Sequence, residues 1–179
     1  MLSTPKNKTR LEPVIPDPLI QVELANRQSA HDVDSRKMID VARAVLSGEG
    51  IQCAEVSLAV VDAPTMHQLN RQYLNHDYPT DVLSFPLTDA GDELFEGEVI
   101  VCADVAADVA RRHDWQVLDE LLLYVIHGTL HLAGYDDKSD AARAEMRKRE
   151  SHYLQLHGIN ASNDEAVTLL RAASKDDLP

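Results

Sequence analysis

Apolar residues recur along this chain in two alternating kinds of pattern. Four segments are alternately apolar and polar, or continuously apolar for a short run, and each of these patterns predicts a β-strand. Between them, apolar residues recur at three- and four-residue intervals, which predicts helices. The predicted strands cover residues 19–24, 54–61, 82–85 and 98–103, and the predicted helices cover 35–48, 62–74, 104–113, 117–133 and 139–156.

Polar residues at the ends of these segments support the assignment. Ser35 is the expected N-cap of the first helix and Asp62 that of the second, with Pro64 in the second helix's first turn. Pro86 would stop the third strand, so that strand should lie at an edge of the sheet. Strands interleaved with helices predict an α+β (mixed α/β) fold, in which helices pack on a central sheet of roughly four strands.

The two ends of the chain differ in composition from the middle. Residues 1–17 are rich in proline and basic residues and are predicted to be a flexible arm. Residues 159–179 are polar and acidic, with a weak helical pattern at 167–173, and are predicted to be a loose tail. One folded domain is therefore expected over residues 18–158, and a chain of 179 residues is long enough to bury a substantial core.

Charge and cysteine content limit the possible functions. The formal net charge is −13, from 17 basic and 30 acidic residues. This charge argues against a broad surface that binds nucleic acid non-specifically. Cys53 and Cys102 are isolated in apolar segments, so buried free thiols and a reducing cytoplasmic location are expected. No signal peptide and no apolar run long enough to span a bilayer is visible, so no membrane partner is expected.

The strongest chemical signal is the segment from His127 to Asp137, which reads HGTLHLAGYDD. Residues four apart on a helix advance about 400° and rise about 6 Å, so His127 and His131 should share one face. Gly134 can adopt the left-handed conformation that ends a helix and would bring Asp137 back toward both histidines. Two imidazoles and one carboxylate leave an open coordination position, as in catalytic zinc sites.

Two interpretations of this segment compete. The histidines could be a buried pair, each satisfied by a carboxylate or a backbone carbonyl, but Gly134 and Asp137 at these spacings favour a metal site. Zinc is the expected ion, although two histidines and a carboxylate also suit Fe(II). The order is that of zincins with an H-E-x-x-H-x-x-G-x-x-H motif, except that Gly128 replaces the glutamate and Asp137 replaces the last histidine.

Three segments, in order, resemble the YbeY family of metal-dependent endoribonucleases. Residues 127–136 match the family signature H-G-x-L-H-L-x-G-Y-D-H, with Asp137 in place of the final histidine. Residues 69–86 and 97–101 are similar to the family's two other signatures. The resemblance implies a central sheet with a zincin-like metal helix, and a single-strand-specific endoribonuclease that uses a metal-activated water in small-subunit ribosomal RNA maturation and ribosome quality control. It also implies RNA, and ribosomal proteins, as partners, with no DNA expected.

The chain departs from the family at positions that bear on activity. Leu74 stands where the family has an arginine thought to meet the RNA phosphate, and Glu98 replaces an aspartate. The general base is not assigned by the sequence. The candidates for a base or metal-water partner are Glu98, Asp136 and Glu145, with Asp136 alternatively orienting a histidine. The candidates to replace the missing arginine are Arg71, Arg111, Arg112 and the arginines within 143–149.

Three functions are therefore weighed. The first is the metal-dependent endoribonuclease. The second is a ribosome-associated binding or assembly protein whose metal site cuts weakly or not at all, which Leu74 and the acidic charge favour. The third is a zinc peptidase, which Gly128 disfavours because the peptidase motif has its general base at that position.

Overall fold

Within the described residues, four strands form one mixed sheet. The structure, a computed structural model, describes residues 19–89, 91–113 and 115–159. The strands are β1 (Leu19–Asn26), β2 (Cys53–Val61), β3 (Val82–Pro86) and β4 (Phe95–Cys102), in the order β1-β2-β4-β3. β1, β2 and β4 are parallel, while β3 runs antiparallel to β4 at the edge. The predicted fold class and the edge position of β3 are confirmed.

Five helices connect and cover these strands. They are α1 (Ser35–Gly48), α2 (Ala63–Leu74), α3 (Ala103–His113), α4 (Val117–Leu132) and α5 (Asp140–Leu156). Asp62 caps α2 by accepting a hydrogen bond from the Thr65 backbone, as predicted. The predicted cap of α1 is wrong. Asp34, one residue earlier than Ser35, accepts from the Lys37 backbone, because its side chain is the one that reaches that exposed N–H.

The two faces of the sheet carry separate apolar clusters. Alternate residues of β2 and β4, such as Val56 and Val99, pack with α1, α4 and α5 on one face. The residues between them, such as Ile100, pack with Met66 of α2 on the other. This division follows from the two-residue repeat of a strand. Only strand residues on the first face can therefore contact a site on α4.

α4 is the central element of the first face. It contacts α1, α3, α5, β3 and β4, and its residues 120–130 are all buried. Of the helices in the described ranges, none is long and apolar enough to cross a membrane. The all-round apolar pattern of α4 matches its burial inside the protein.

The sequence predictions for the start of β4, for the two termini and for the domain bounds have different outcomes. β4 begins at Phe95, three residues earlier than predicted, because Phe95 to Glu98 continue the pairing with Ala54 to Ser57 of β2. The predicted arm 1–17, and the predicted tail 159–179 apart from Ile159, lie outside the described residues. A single domain over residues 18–158 therefore stays a prediction.

Candidate metal centre

The structure brings the three predicted ligands together. One ligand atom each from His127, His131 and Asp137 can be chosen such that all three lie within 4.8 Å of one another. The two imidazole rings meet edge to face, with centroids 4.3 Å apart. His127 is buried, and the other two residues are partly exposed. The site thus lies where the interior at α4 opens to solvent, and the role of these residues as ligands stays a prediction.

The turn after α4 has the geometry that the sequence predicted. Gly134 has φ +96°, and its N–H donates to the His131 carbonyl at 3.0 Å. The Tyr135 N–H donates to the Leu130 carbonyl, also at 3.0 Å. These two bonds form a Schellman motif, which satisfies the last carbonyls of the helix and reverses the chain. The reversal is what brings Asp137 back to the histidines.

Both histidines are oriented through Nδ1. His127 Nδ1 lies 2.8 Å from Oε1 of Glu150, a glutamate of α5 with no solvent exposure. His131 Nδ1 lies 2.9 Å from the backbone carbonyl of Tyr135, to which it donates as the Nδ1–H tautomer. A metal-binding histidine commonly donates its second ring nitrogen to a carboxylate or carbonyl, which fixes the tautomer and the ring orientation. In both residues Nε2 is then the nitrogen suited to a metal.

Glu150 is a residue of the candidate metal centre that the sequence did not indicate. On α5 it follows Met146 by four residues and precedes Tyr153 and Leu154 by three and four, and all four are buried. A glutamate at a buried helical position needs a partner, because a buried unpaired carboxylate is costly. That spacing was a signal for a buried role, although it did not identify His127 as the partner.

The donor set fits a divalent metal ion. In a tetrahedral site with zinc–ligand bonds of about 2.0–2.2 Å, two ligand atoms lie about 3.4 Å apart. The three ligand atoms lie within 4.8 Å of one another, so side-chain rotation would have to bring them closer together to hold the ion. With two neutral imidazoles and one carboxylate, the site would carry a charge of +1 with a divalent ion.

The structure shows the surroundings of the three residues considered as a base or metal-water partner. Glu98 shares a strand face with Ile100, which packs toward α2, whereas its neighbour Val99 faces α4. Glu98 therefore points away from the face that carries the metal centre. Asp136 accepts from the backbone N–H groups of Asp137 and Lys138, at 2.7 and 3.1 Å.

Asp136 thus shapes the turn and does not orient either histidine, because Glu150 and the Tyr135 carbonyl hold both Nδ1 atoms. Glu145 is exposed on α5 and lies 3.9 Å from the Lys148 ammonium. These contacts give none of the three candidates a place as the general base.

Gly128 lies where a zinc peptidase would have its glutamate. A Cβ at this position would lie 2.5 Å from Val99 Cγ1 and 2.9 Å from both Ser84 Oγ and Val82 Cγ2. α4 therefore approaches β3 and β4 so closely that any side chain at position 128 must displace the side chains of Val99, Ser84 and Val82. The peptidase interpretation is disfavoured by packing as well as by sequence.

The arginines considered as phosphate contacts have different surroundings. Arg143 donates to the backbone carbonyls of Asp137 and Lys138, at 2.9 and 3.1 Å, and also pairs with Asp140. Arg111 pairs with Asp108 on the surface. Of the contacts described for these arginines, those of Arg143 lie nearest to the predicted ligands.

α2 carries the other departure from the family pattern. Leu74 is half-exposed at the C-terminal end of this helix, and Arg71 is exposed in its last turn. α2 packs on the face of the sheet opposite to α4, through Met66. Arg71 therefore shares a helix with the missing arginine's position, and no described contact connects it to the metal centre.

Known proteins match this chain over most of its length. A family model described as endoribonuclease YbeY matches residues 23–158. The endoribonuclease YbeY of Rhodopirellula baltica is 40% identical over 133 residues, which are 72% of this chain and 68% of the relative. That of Salinibacter ruber is 37% identical over 151 residues, which are 80% of this chain and 94% of the relative.

A solved structure is also similar. The solution structure of TM1509 from Thermotoga maritima superposes with a TM-score of 0.55 at 28% identity. The match covers 80% of this chain and 95% of that one. The likeness thus extends over the sheet and the helices that build the site.

Proposed function

This chain belongs to the endoribonuclease YbeY family and is accordingly a nuclease of the hydrolase class; we propose that it cuts single-stranded RNA at a metal centre formed by His127, His131 and Asp137. The observation that carries the proposal is the convergence of three ligand atoms within 4.8 Å, with both imidazoles oriented through Nδ1. The cellular role that we propose is small-subunit ribosomal RNA maturation and ribosome quality control in the cytoplasm. Ribosomal proteins would be further partners, and DNA would not be a substrate.

Each side chain at the metal centre has a distinct role. When bound, a divalent ion supplies a water of lowered pKa and polarises the phosphoryl oxygen. Glu150 and the Tyr135 carbonyl hold the two imidazoles in place, so that little reorganisation is needed when a substrate arrives. Asp137 contributes a negative charge that offsets part of the charge of the ion. Arg143 holds the backbone of Asp137 and Lys138 in position.

We propose zinc as the ion, because a three-ligand set of histidine and carboxylate with an open position is typical of catalytic zinc. Fe(II) is accommodated by the same donors. Elemental analysis of the purified protein, followed by activity measurements after removal and return of each metal, distinguishes the two. Zinc at about one equivalent that restores cleavage supports the proposal, and restoration by iron alone contradicts it.

Cleavage of labelled single-stranded RNA tests the activity directly. The zinc-loaded protein is compared with the His127→Ala/His131→Ala double variant, using RNA duplex and single-stranded DNA as control substrates. We expect the wild-type protein to cut only single-stranded RNA and the double variant to cut none. Equal cleavage by both proteins would reveal a contaminating nuclease and would remove the support for this site.

The second candidate function is a ribosome-associated assembly protein with a metal site of weak or no activity. It is favoured by the half-exposed Leu74 at the family's arginine position and by the net charge of −13. A Leu74→Arg variant separates the two. A large gain in RNA cleavage over an almost inactive wild type supports the assembly role, while a wild type that is already active supports the nuclease.

A further inference from the structure

A second cluster of side chains lies beside the metal centre and is built around Glu49. This residue caps the C-terminal end of α1 and accepts three hydrogen bonds from distant parts of the chain. Its Oε2 accepts from the Tyr135 hydroxyl at 2.7 Å and from Arg149 Nη2 at 2.6 Å, and its Oε1 accepts from the Tyr153 hydroxyl at 2.5 Å. We call these four residues the Glu49 cluster.

The cluster is closely packed and charged. Arg149 also donates from Nε to the Tyr135 hydroxyl at 2.9 Å, and its guanidinium carbon lies 5.7 Å from the centre of the Tyr135 ring. Burial raises the pKa of Glu49, but the hydrogen bonds from Tyr153, Tyr135 and Arg149 outweigh it and lower the pKa below its ordinary value. Glu49 is therefore a carboxylate at neutral pH, and each of its donors binds a charged acceptor.

Gly48 shows how tightly Tyr153 is held against the end of α1. A Cβ at this position would clash with the Tyr153 hydroxyl and would lie 3.1 Å from its Cε1. Gly48 therefore provides the space in which Tyr153 reaches Glu49. The end of α1 and the last turns of α5 are joined by this contact, and the loop after α4 is joined to both through Tyr135.

The same residues adjoin the groups that orient both histidines. Tyr135 is held by its hydroxyl in the cluster, and its backbone carbonyl lies 2.9 Å from His131 Nδ1. Arg149 precedes Glu150, whose carboxylate lies 2.8 Å from His127 Nδ1. Two successive residues of α5 thus act on different histidines. Glu150 contacts His127 directly, whereas Arg149 contacts Tyr135, whose carbonyl accepts from His131.

We propose that Glu49 is a positioning residue for the metal centre, which fixes Tyr135 so that its carbonyl holds His131 in the orientation that binds the ion. This inference rests on the proposed function, because it assigns a role relative to the same three ligands. Glu49 directly follows a helix, α1, that contributes no ligand. Its effect on the metal centre is therefore transmitted through Oε2 and Tyr135. The hydrogen bond that Oε1 accepts from Tyr153 only stabilises the packing of α5 against the end of α1.

Zinc affinity, measured by competition with a chromogenic chelator, tests this difference between the two carboxylate oxygens. The variants are Glu49→Gln, Tyr135→Phe and Tyr153→Phe, all in the full chain. Tyr135→Phe and Tyr153→Phe are matched, because each removes one tyrosine hydroxyl from the same carboxylate. The thermal midpoint of each metal-free variant is recorded to measure the loss of stability, and the visible spectrum of the cobalt-substituted protein reports the geometry of the ligands.

We expect Glu49→Gln and Tyr135→Phe to bind zinc about 10- to 100-fold more weakly and to change the cobalt spectrum, as removal of a group that orients a metal ligand commonly does. Tyr153→Phe should lose stability but keep wild-type affinity and spectrum. Equal loss of affinity in both tyrosine variants, or no loss in Tyr135→Phe, overturns the inference. If Glu49→Gln does not fold, the matched tyrosine pair alone decides between these outcomes.

The same measurement separates this inference from the proposed function. A wild-type protein that binds zinc while Tyr135→Phe binds it equally well overturns the positioning role and leaves the metal centre intact. A wild-type protein that binds no divalent ion overturns both.

Discussion

Gly128 makes possible the contact between α4 and the sheet on which the metal centre depends. Two opposing effects bear on a Gly128→Ala change. Alanine stabilises a helix interior by roughly 0.5–1 kcal/mol relative to glycine. The added Cβ would lie 2.5 Å from Val99 Cγ1, and overpacking of a core costs about 1–3 kcal/mol. Because the close neighbours belong to two strands, we expect the steric cost to exceed the gain in helix propensity.

Urea unfolding of Gly128→Ala should therefore show a net loss of about 1 kcal/mol or more in the free energy of unfolding. The control is Ser47→Ala in α1, an exposed helical position where alanine is free of steric cost and is expected to be neutral or slightly stabilising. An increase in stability for Gly128→Ala would show that α4 lies farther from the sheet than described.

Glu150 is the residue on which the orientation of His127 depends. Replacing it with glutamine keeps the shape of the side chain but removes the charge that strengthens the hydrogen bond at Nδ1. We expect Glu150→Gln to weaken zinc binding by about 10- to 100-fold. Chelator competition measures the effect. Glu145→Gln, an exposed glutamate on the same helix, is the matched control and should bind zinc like the wild type; equal affinities for all three proteins would contradict the role of Glu150.

The spacing of nearby residues in the sequence identified the predicted metal ligands, but the sequence did not identify the residues that contact them from distant parts of the chain. His127, His131 and Asp137 lie within eleven residues, so helix geometry and one glycine turn predicted their convergence. The contact of Glu150 with His127 spans 23 residues and depends on how α5 packs against α4. Glu49 is 86 residues from Tyr135. Such contacts depend on tertiary packing, and no periodic pattern in the sequence encodes them.

The turn that ends α4 is a local feature of the sequence on which the position of Asp137 depends. α4 and α5 both end in the same way: Gly134 and Gly158 have φ values of +96° and +74°, and in each case the next N–H donates to the carbonyl five residues earlier. A residue with a Cβ is disfavoured in this conformation by roughly 1–2 kcal/mol. Only the turn at Gly134 leads to a predicted ligand.

Gly134→Ala and Gly158→Ala therefore form a matched pair. Both should lower the free energy of unfolding by about 1 kcal/mol, but only Gly134→Ala should weaken zinc binding, because it alone redirects the chain toward Asp137. Chemical denaturation and zinc titration of the two variants make the comparison. A similar loss of zinc affinity in Gly158→Ala would mean that general destabilisation, not the turn, accounts for the effect.

The predicted boundaries of helices and strands were correct where a capping residue or a proline marks them. The predicted start of β4 was wrong, because pairing with the neighbouring strand determines it. Asp62 and Pro86 marked the start of α2 and the end of β3. The start of β4 was misplaced because Glu96 is polar and closely follows the acidic residues Asp92 and Glu93. It is nevertheless paired with Glu55 of β2. A strand with one solvent-facing side accepts glutamates there, so polarity alone cannot mark its end.

Charge is the property of the whole molecule that bears most on how RNA binds. A net charge of −13 repels a polyanion over the long range. Attraction is then restricted to a bound cation and the few arginines near it. Arg143, which donates to the backbone carbonyl of Asp137, is such an arginine. We therefore expect only a few phosphates to be neutralised when RNA binds.

Salt dependence measures that number. Each phosphate contact to single-stranded nucleic acid contributes about −0.7 to the slope of log K against log salt concentration. Two or three contacts predict a slope of about −1.4 to −2.1. Fluorescence anisotropy with a short single-stranded RNA, whose phosphorothioate linkages slow cleavage, gives the slope for the zinc-loaded protein. The His127→Ala/His131→Ala variant is the control and should bind more weakly at every salt concentration, because it lacks the bound cation. A slope steeper than about −4 would mean that six or more phosphates are neutralised, and it would show that a broad basic surface binds the RNA despite the acidic balance of the chain.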